Sequence, residues 1–175
     1  MRIALYGFMG AGKTVLGQAL AQRLAYDFID LDVEIQRFTN KSISEIFASE
    51  GEIGFRRIEH QVLKDFIKEN KNNVVLSLGG GTILRPTNRQ LLDLRQFYKI
   101  YLNVDIAVLI ARLIKDKADR PLIKDLSNEA LPDYIKALFE SRRLVYEQYA
   151  DLKVAIAHDN FEGTLQKIYS YLNMN

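Results

Sequence analysis

Short hydrophobic runs alternate along the chain with longer segments whose apolar residues recur every three or four positions. The short runs are typical of buried strands, and the longer segments are typical of amphipathic helices. Strands that alternate with helices favour a parallel sheet that is covered by helices on both faces. We therefore predict a three-layer α/β/α fold with a central five-stranded parallel sheet.

The pattern predicts strands at residues 3–6, 27–30, 74–78, 99–102 and 154–156. It predicts helices at residues 14–24, 32–37, 42–50, 52–69, 87–93, 131–149 and 161–172, and one more from the capping residue Asp105 to about 115. Residues 116–128 are highly charged and contain Pro121, so we predict an exposed mobile loop there. The whole chain, residues 1–175, is expected to form one domain.

The composition narrows the possible classes of function. The chain contains no cysteine, which excludes a disulfide scaffold, thiol catalysis and a zinc–thiolate site. Its formal net charge of +2 is too small to indicate a nucleic-acid-binding surface. We find neither a signal-peptide pattern nor a hydrophobic run of membrane-spanning length. We therefore expect a cytoplasmic protein without nucleic-acid or membrane partners.

Residues 7–14 read G-F-M-G-A-G-K-T and match G-x-x-x-x-G-K-[ST] through Gly7, Gly12, Lys13 and Thr14. The match lies between a predicted strand and a predicted helix, which is where this pattern binds phosphate. Glycines let backbone amides approach one anion, the Lys13 ammonium can meet the outer phosphates, and the Thr14 hydroxyl can ligate Mg²⁺. An accidental glycine turn is the alternative. The setting favours a site for a nucleoside triphosphate with Mg²⁺.

A phosphate-binding loop alone is compatible with a kinase, a GTPase or a motor. The chain lacks the D-x-x-G and N-K-x-D signals of a GTPase, and it is small for a motor. Five further segments carry polar residues or glycines: I-D-L-D at 29–32, G-F-R-R at 54–57, L-G-G-G-T at 78–82, D-R-P-L at 119–122, and Arg142. Two of them follow predicted strands, where an open parallel sheet places its ligands. Each also has an ordinary explanation, since Asp32, for example, could simply cap a helix.

Together, and in this order, these segments resemble the shikimate kinase family of P-loop kinases. The similarity covers residues 2–149. It includes the segments G-F-M-G-A-G-K-T, D-L-D, F-A-S-E-G-E-I-G-F-R-R-I-E, L-G-G-G-T and R-P-L, and also Arg142. It implies ATP-dependent phosphorylation of the 3-hydroxyl of shikimate, on the way to chorismate and the aromatic amino acids. It also implies substrate-binding helices at about 32–70 and a mobile lid at about 112–128. We expect a monomer.

The resemblance implies a role for each matching residue. The residues expected to bind ATP are Gly7, Gly10, Ala11, Gly12, Lys13, Thr14, Val15, Arg112 and Arg120. Thr14 and Asp30 are expected to support Mg²⁺. Those expected to bind shikimate are Asp32, Phe47, Phe55, Arg56, Gly79, Gly80, Gly81 and Arg142. The expected catalytic residues are Lys13, Asp32 and Arg120.

In this scheme Lys13 and Arg120 neutralise the moving phosphoryl group, and Asp32 orients the accepting hydroxyl. Arg56 and Arg142 would grip the carboxylate of shikimate, because a guanidinium matches its two oxygens. Phe47 and Phe55 would form an apolar wall beside the ring. Glu59 would hold Arg56 in place from one helical turn away, and Arg112 would stack on adenine.

One departure from the family concerns its R-x-P-L-Y pattern, which reads R-R-L-V-Y at residues 142–146. The proline is absent, and we favour Arg142 over Arg143 as the residue that faces the substrate. Two other functions stay open at this point. The chain could be a related kinase for gluconate or a nucleoside monophosphate, or a catalytically silent nucleotide-binding module. The silent module is less consistent with the sequence, because the residues expected for catalysis and Mg²⁺ binding are present: Lys13, Thr14 and Asp32.

Overall fold

The computed structural model describes residues 1–117, 120–156 and 160–174. Its strands are β1 (Arg2–Gly7), β2 (Asp27–Asp30), β3 (Val74–Ser77), β4 (Tyr98–Val104) and β5 (Leu152–Ile156). All neighbouring strands run parallel, in the order β2-β3-β1-β4-β5. The predicted α/β fold with a five-stranded, all-parallel sheet is confirmed.

Seven helices accompany the strands in the described part of the chain. They are α1 (Lys13–Leu24), α2 (Leu31–Thr39), α3 (Ile43–Lys68), α4 (Pro86–Leu94), α5 (Ile106–Lys115), α6 (Leu131–Gln148) and α7 (Phe161–Met174), and a 3-10 turn spans Thr82–Leu84. Helix α1 packs against β3 and α7, whereas α5 packs against α6. Every residue of β3 is buried, as expected for a strand with both faces covered. None of these helices combines the length and hydrophobicity needed to cross a membrane.

The strand register brings the carboxyl ends of three strands to one edge of the sheet. Ser77, the last residue of β3, pairs with Asp30 at the end of β2 and with Leu5 near the end of β1. The glycine loop after β1, the aspartates around the end of β2 and the glycines after β3 therefore lie side by side at this edge. This arrangement follows from parallel pairing, because parallel strands all end at the same edge.

The two helices predicted at residues 42–50 and 52–69 form one element, α3, with a kink between them. At the kink, Gly51 has φ 65° and ψ −177°, a conformation that glycine tolerates and other residues rarely adopt. Ser42 and Glu45 form a capping box at the start of α3. The predicted break is therefore present, but as a bend within a helix and not as a loop.

The prediction of an exposed loop at residues 116–128 is wrong for the apolar residues of that segment. Ile123 is fully buried, and Leu122 and Leu126 pack against the core. Removing these side chains from water stabilises the packed arrangement, although the charged residues around them stay at the surface. The mobility of the segment stays a prediction. Ala118 and Asp119 lie outside the described residues.

Candidate active site

Glycines shape the loop between β1 and α1. Gly10 has φ 78°, and Gly12, the N-cap of α1, has φ 82°. A Cβ atom on Gly7 would lie 2.7 Å from the carbonyl oxygen of Leu102, so only glycine fits there. Gly12 has no side chain that could accept hydrogen bonds from the first amides of α1. The loop therefore presents a helix N-terminus that can bind an anion.

Lys13 lies across this loop. Its Nζ atom donates to the carbonyl oxygens of Phe8 and Gly7 at 2.9 Å and 3.2 Å. Burial lowers the pKa of Lys13 to about 8, while the nearby carboxylate of Asp32 acts in the opposite direction. The two carbonyl groups hold the ammonium where it can meet an anion that is bound by the loop.

Thr14 and Asp30 form a pair next to Lys13. The Thr14 hydroxyl donates to Oδ2 of Asp30 at 2.7 Å, and Oδ1 of Asp30 accepts from the backbone N–H of Asp32 at 3.0 Å. Asp30 is thus the N-cap of α2, and the alternative that Asp32 serves as the cap is wrong. A hydroxyl beside a carboxylate supplies the hard oxygen ligands that Mg²⁺ prefers, so this pair fits that ion.

Asp32 lies in the first turn of α2, where its side chain is not used for capping. Burial raises the pKa of Asp32 to about 6, and the negative charges of Asp30 and Glu59 act in the same direction. Lys13 and Arg56 oppose this rise. A carboxyl group with a pKa near neutrality can accept a proton from a neighbouring hydroxyl, which is the behaviour of a general base.

Two cavities open at this edge of the sheet. The first has a volume of about 730 Å³ and follows the glycine loop, and the second has a volume of about 170 Å³ and lies beside the glycines after β3. Asp32 and Arg120 line both cavities. The first is also lined by these residues predicted to bind ATP or Mg²⁺: Gly10, Ala11, Gly12, Lys13, Thr14, Val15, Asp30 and Arg112. The two cavities therefore meet at one carboxylate and one guanidinium.

The second cavity brings together all the residues predicted to bind the small substrate. They are Asp32, Phe47, Phe55, Arg56, Gly79, Gly80, Gly81 and Arg142. The rings of Phe47 and Phe55 lie 4.7 Å apart between their centroids and form one apolar wall. The cavity thus combines an apolar surface with guanidinium groups, which suits a small ring that carries an acid.

Glu59 holds Arg56 in this cavity, as predicted. Nη1 of Arg56 donates to Oε1 of Glu59 at 2.9 Å, and the same oxygen accepts from the Thr82 hydroxyl at 2.8 Å. Glu59 is fully buried, and within the described residues its Oε2 atom has no hydrogen-bond partner. A buried carboxylate requires compensation by a cation, so Glu59 and Arg56 stabilise each other.

Arg142 and Arg143 are neighbours in α6 but have different surroundings. Arg142 is only 6% exposed, and its Nη1 atom reaches the carbonyl oxygen of Gly80 at 3.5 Å. The Arg143 side chain is 42% exposed and pairs with Glu140 and Glu147 at 3.0 Å and 3.6 Å. Of the two arginines, only Arg142 lines the second cavity. That Arg142 faces the substrate stays a prediction.

Two further predicted cations lie beside the glycine loop. Arg120 is held by Asp116, whose carbonyl oxygen and Oδ2 atom each accept from the guanidinium at 3.1 Å. Nη1 of Arg112 donates to the carbonyl oxygen of Gly10 at 2.9 Å. Both side chains therefore lie where a bound nucleotide would reach them. Asp119, the first residue of D-R-P-L, lies outside the described residues.

One wall of the first cavity was not predicted from the sequence. The additional residues that line it include Lys115, Asp116, Ile156, Asn160, Phe161 and Thr164. Ile156 ends β5 and Phe161 begins α7, so the carboxyl end of a further strand contributes to the site. The available signal was this position after a predicted strand, where ligands of parallel sheets bind.

A family model described as shikimate kinase matches residues 9–173 of the chain. The chain belongs to the shikimate kinase family. A shikimate kinase of Synechococcus elongatus is 44% identical to it over 165 residues, which cover 94% of this chain and 82% of that protein. A shikimate kinase of Flavobacterium johnsoniae is 36% identical over 172 residues, which cover 98% of each chain.

Solved structures of the shikimate kinase family agree with this result. A shikimate kinase from Acinetobacter baumannii in complex with shikimate is 34% identical, with a TM-score of 0.89, over 99% of this chain and 93% of that one. A shikimate kinase from Bacteroides thetaiotaomicron is 34% identical, with a TM-score of 0.88, over 99% of this chain and 98% of that one. The predicted family and its activity, ATP-dependent phosphotransfer in aromatic amino acid biosynthesis, are confirmed.

Proposed function

We propose that the chain transfers the γ-phosphoryl group of ATP to the 3-hydroxyl of shikimate, giving shikimate 3-phosphate and ADP. The observation that carries this proposal is the junction of the two cavities, which Asp32 and Arg120 both line. A phosphoryl group in the first cavity and a hydroxyl group in the second would meet at these two side chains. The transfer then requires alignment and charge neutralisation more than covalent chemistry.

The first cavity would hold ATP with its phosphates in the glycine loop. The first amides of α1 and the Lys13 ammonium would bind the phosphate oxygens, and Arg120 would add a positive charge at the junction. Arg112, beside Gly10, would stack on adenine. Thr14 and Asp30 would hold Mg²⁺, which when bound neutralises charge on the phosphates.

The second cavity would hold shikimate by its carboxylate and its ring. Arg56 and Arg142 would bind the carboxylate, because each presents a planar fork of N–H donors. Phe47 and Phe55 would pack against the ring, and the backbone of Gly79, Gly80 and Gly81 would approach it closely. This orientation directs a ring hydroxyl towards the junction of the cavities.

At the junction, Asp32 would orient the 3-hydroxyl and take its proton. The proton moves to Asp32 as the bond from oxygen to phosphorus forms and the bond from phosphorus to ADP breaks. Burial raises the pKa of Asp32 to about 6, which makes its carboxylate a better proton acceptor than an exposed aspartate. Lys13 and Arg120 would stabilise the charge on the moving group.

Coupled ADP release across a panel of acceptors tests the proposal. We expect release that depends on shikimate, with gluconate and nucleoside monophosphates inactive. Turnover with gluconate or a monophosphate, and none with shikimate, would support a related kinase instead. The absence of turnover with every acceptor would support a silent nucleotide-binding module.

The adjacent arginines of α6 provide a matched pair of variants. Arg142→Lys keeps the charge but loses the fork, so we expect the KM for shikimate to rise by about tenfold or more. Arg143→Lys alters only surface ion pairs and should leave this KM within about twofold of the wild-type value. Equal effects of the two substitutions would remove Arg142 from the substrate site.

Several expectations remain predictions. These are a single domain, a monomeric state, a cytoplasmic location, and the absence of nucleic-acid and membrane partners. Sedimentation analysis with and without ATP would test the oligomeric state.

A further inference from the structure

Tyr146 contacts Gly80, one of the residues that line the second cavity. It lies one helical turn after Arg142 in α6 and is fully buried. Its hydroxyl donates to the carbonyl oxygen of Gly80, the same oxygen that Nη1 of Arg142 reaches at 3.5 Å. In the described part of the chain, these are the two side chains that donate to this oxygen. One backbone carbonyl thus joins a buried phenol to a proposed carboxylate-binding arginine.

The position of Tyr146 is fixed by strands of the sheet. The Tyr6 hydroxyl on β1 donates to the backbone carbonyl oxygen of Tyr146 at 2.8 Å. The Tyr146 ring packs against the rings of Tyr6 and Tyr101, with centroids 6.1 Å and 5.4 Å away. These aromatic contacts leave the phenol little freedom to turn away from Gly80.

Gly80 packs closely against the backbone of the loop between β1 and α1. A Cβ atom on Gly80 would lie 3.3 Å from the backbone nitrogen of Met9 and 3.5 Å from the carbonyl oxygen of Gly7. Gly80 therefore packs directly on the phosphate-binding loop, and its carbonyl group cannot easily move. The Gly80 carbonyl is partly buried, and within the described residues its side-chain donors are Tyr146 and Arg142.

We propose that Tyr146 is a positioning residue that keeps Arg142 available to the substrate. The Tyr146 hydroxyl donates to the Gly80 carbonyl and also lies within hydrogen-bonding reach of the Arg142 guanidinium. Arg142 therefore makes only a long contact with that carbonyl and keeps its other donors for a carboxylate in the cavity. Without the hydroxyl, Arg142 would turn towards the unsatisfied carbonyl and away from the substrate. This inference rests on the proposed role of Arg142 in binding shikimate.

Tyr146→Phe removes only the hydroxyl and keeps the ring. We expect the KM for shikimate to rise about fivefold, which corresponds to about one net hydrogen bond. The KM for ATP and the value of kcat should stay close to those of the wild type, because the first cavity is unaltered. A purely structural role would lower the apparent kcat through the fraction of folded enzyme and would leave both KM values unchanged.

Tyr6→Phe is the matched control. It removes a hydroxyl from another fully buried tyrosine of the same cluster, and the lost bond also ends on a backbone carbonyl. This bond does not reach Gly80, and Tyr6→Phe keeps the ring contacts that hold the Tyr146 phenol. The KM for shikimate should therefore stay within about twofold of the wild-type value although the melting temperature falls. If either variant loses its fold, all the enzymes are compared in concentrated sucrose, which favours the folded state.

A double-mutant cycle separates this inference from the proposed function. In an Arg142→Lys background, Tyr146→Phe should cause no further rise in the KM for shikimate, because its effect passes through the guanidinium. A wild-type KM in Tyr146→Phe, a rise equal to that of Tyr6→Phe, or additive effects in the double variant would overturn the inference. A wild-type KM in Arg142→Lys would instead overturn the proposed role of Arg142.

Discussion

Replacing Asp32 by asparagine is expected to abolish turnover and to stabilise the folded protein. In the folded chain, burial raises the pKa of Asp32 from 3.8 to about 6, with Asp30 and Glu59 acting in the same direction. Asparagine is neutral and nearly isosteric, so the variant avoids the cost of holding a charge at this position. It also loses the group that would accept the proton of the substrate hydroxyl.

The expected size of the stabilisation follows from the difference in pKa. A pKa raised from 3.8 to about 6 corresponds to about 3 kcal/mol of unfolding free energy when the group is ionised. The folded state binds the proton more tightly, so this cost is complete above the folded pKa and disappears below the unfolded one. Because Asp32 keeps some contact with water, we expect a smaller effect than this. The unfolding free energy of Asp32→Asn should exceed that of the wild type by about 1–2 kcal/mol at pH 8 and by about half of that at pH 5.

Urea unfolding at the two pH values measures this difference, and ADP release measures turnover. Glu34→Gln is the control, since Glu34 lies in the same helical turn and pairs with Arg37 at the surface at 2.7 Å. It should change the unfolding free energy by less than about 0.5 kcal/mol. An Asp32→Asn protein that is less stable than the wild type at pH 8, or that gains more at pH 5 than at pH 8, would refute this reasoning.

Two further predictions concern the same site. The value of kcat/KM should fall below pH 6, because Asp32, with a pKa of about 6, becomes protonated there. It should also fall above pH 8, because Lys13, with a pKa of about 8, loses its proton. A flat profile between pH 5 and pH 9 would contradict this prediction. Gly81→Ala should reduce kcat/KM for shikimate about a hundredfold and also lower the melting temperature, because the new methyl group would overlap the Arg56 guanidinium and push it from the buried Glu59. Kinetics within twofold of the wild type would contradict this second prediction.

The fold and the residues at the ends of β1, β2 and β3 could be predicted from the sequence because their signals are local. Alternating short apolar runs indicate parallel strands, and Gly12 followed by Lys13 and Thr14 marks a phosphate-binding turn. Parallel pairing then brings Asp32 and the glycines after β3 to the same edge. Once the strands are known to be parallel, this juxtaposition requires no knowledge of side-chain packing, because the carboxyl ends of all the strands lie at that edge.

The rest of the site depends on packing between distant segments, which leaves no local pattern. Phe161 and Asn160 reach the first cavity because α7 packs against α1. Ile123 is buried within a segment that is otherwise charged. The hydroxyl of Tyr146 meets Gly80 across 66 positions of sequence. Such contacts follow from tertiary packing, which overrides the composition of short segments.

A crystal structure of the chain with ADP and shikimate bound would test most directly whether the two cavities form one active site. We expect the shikimate carboxylate between Arg56 and Arg142, and its 3-hydroxyl within about 3 Å of an Asp32 oxygen and facing the glycine loop. Shikimate bound outside the second cavity, or with its 3-hydroxyl directed away from Asp32 and the first cavity, would contradict the proposed arrangement.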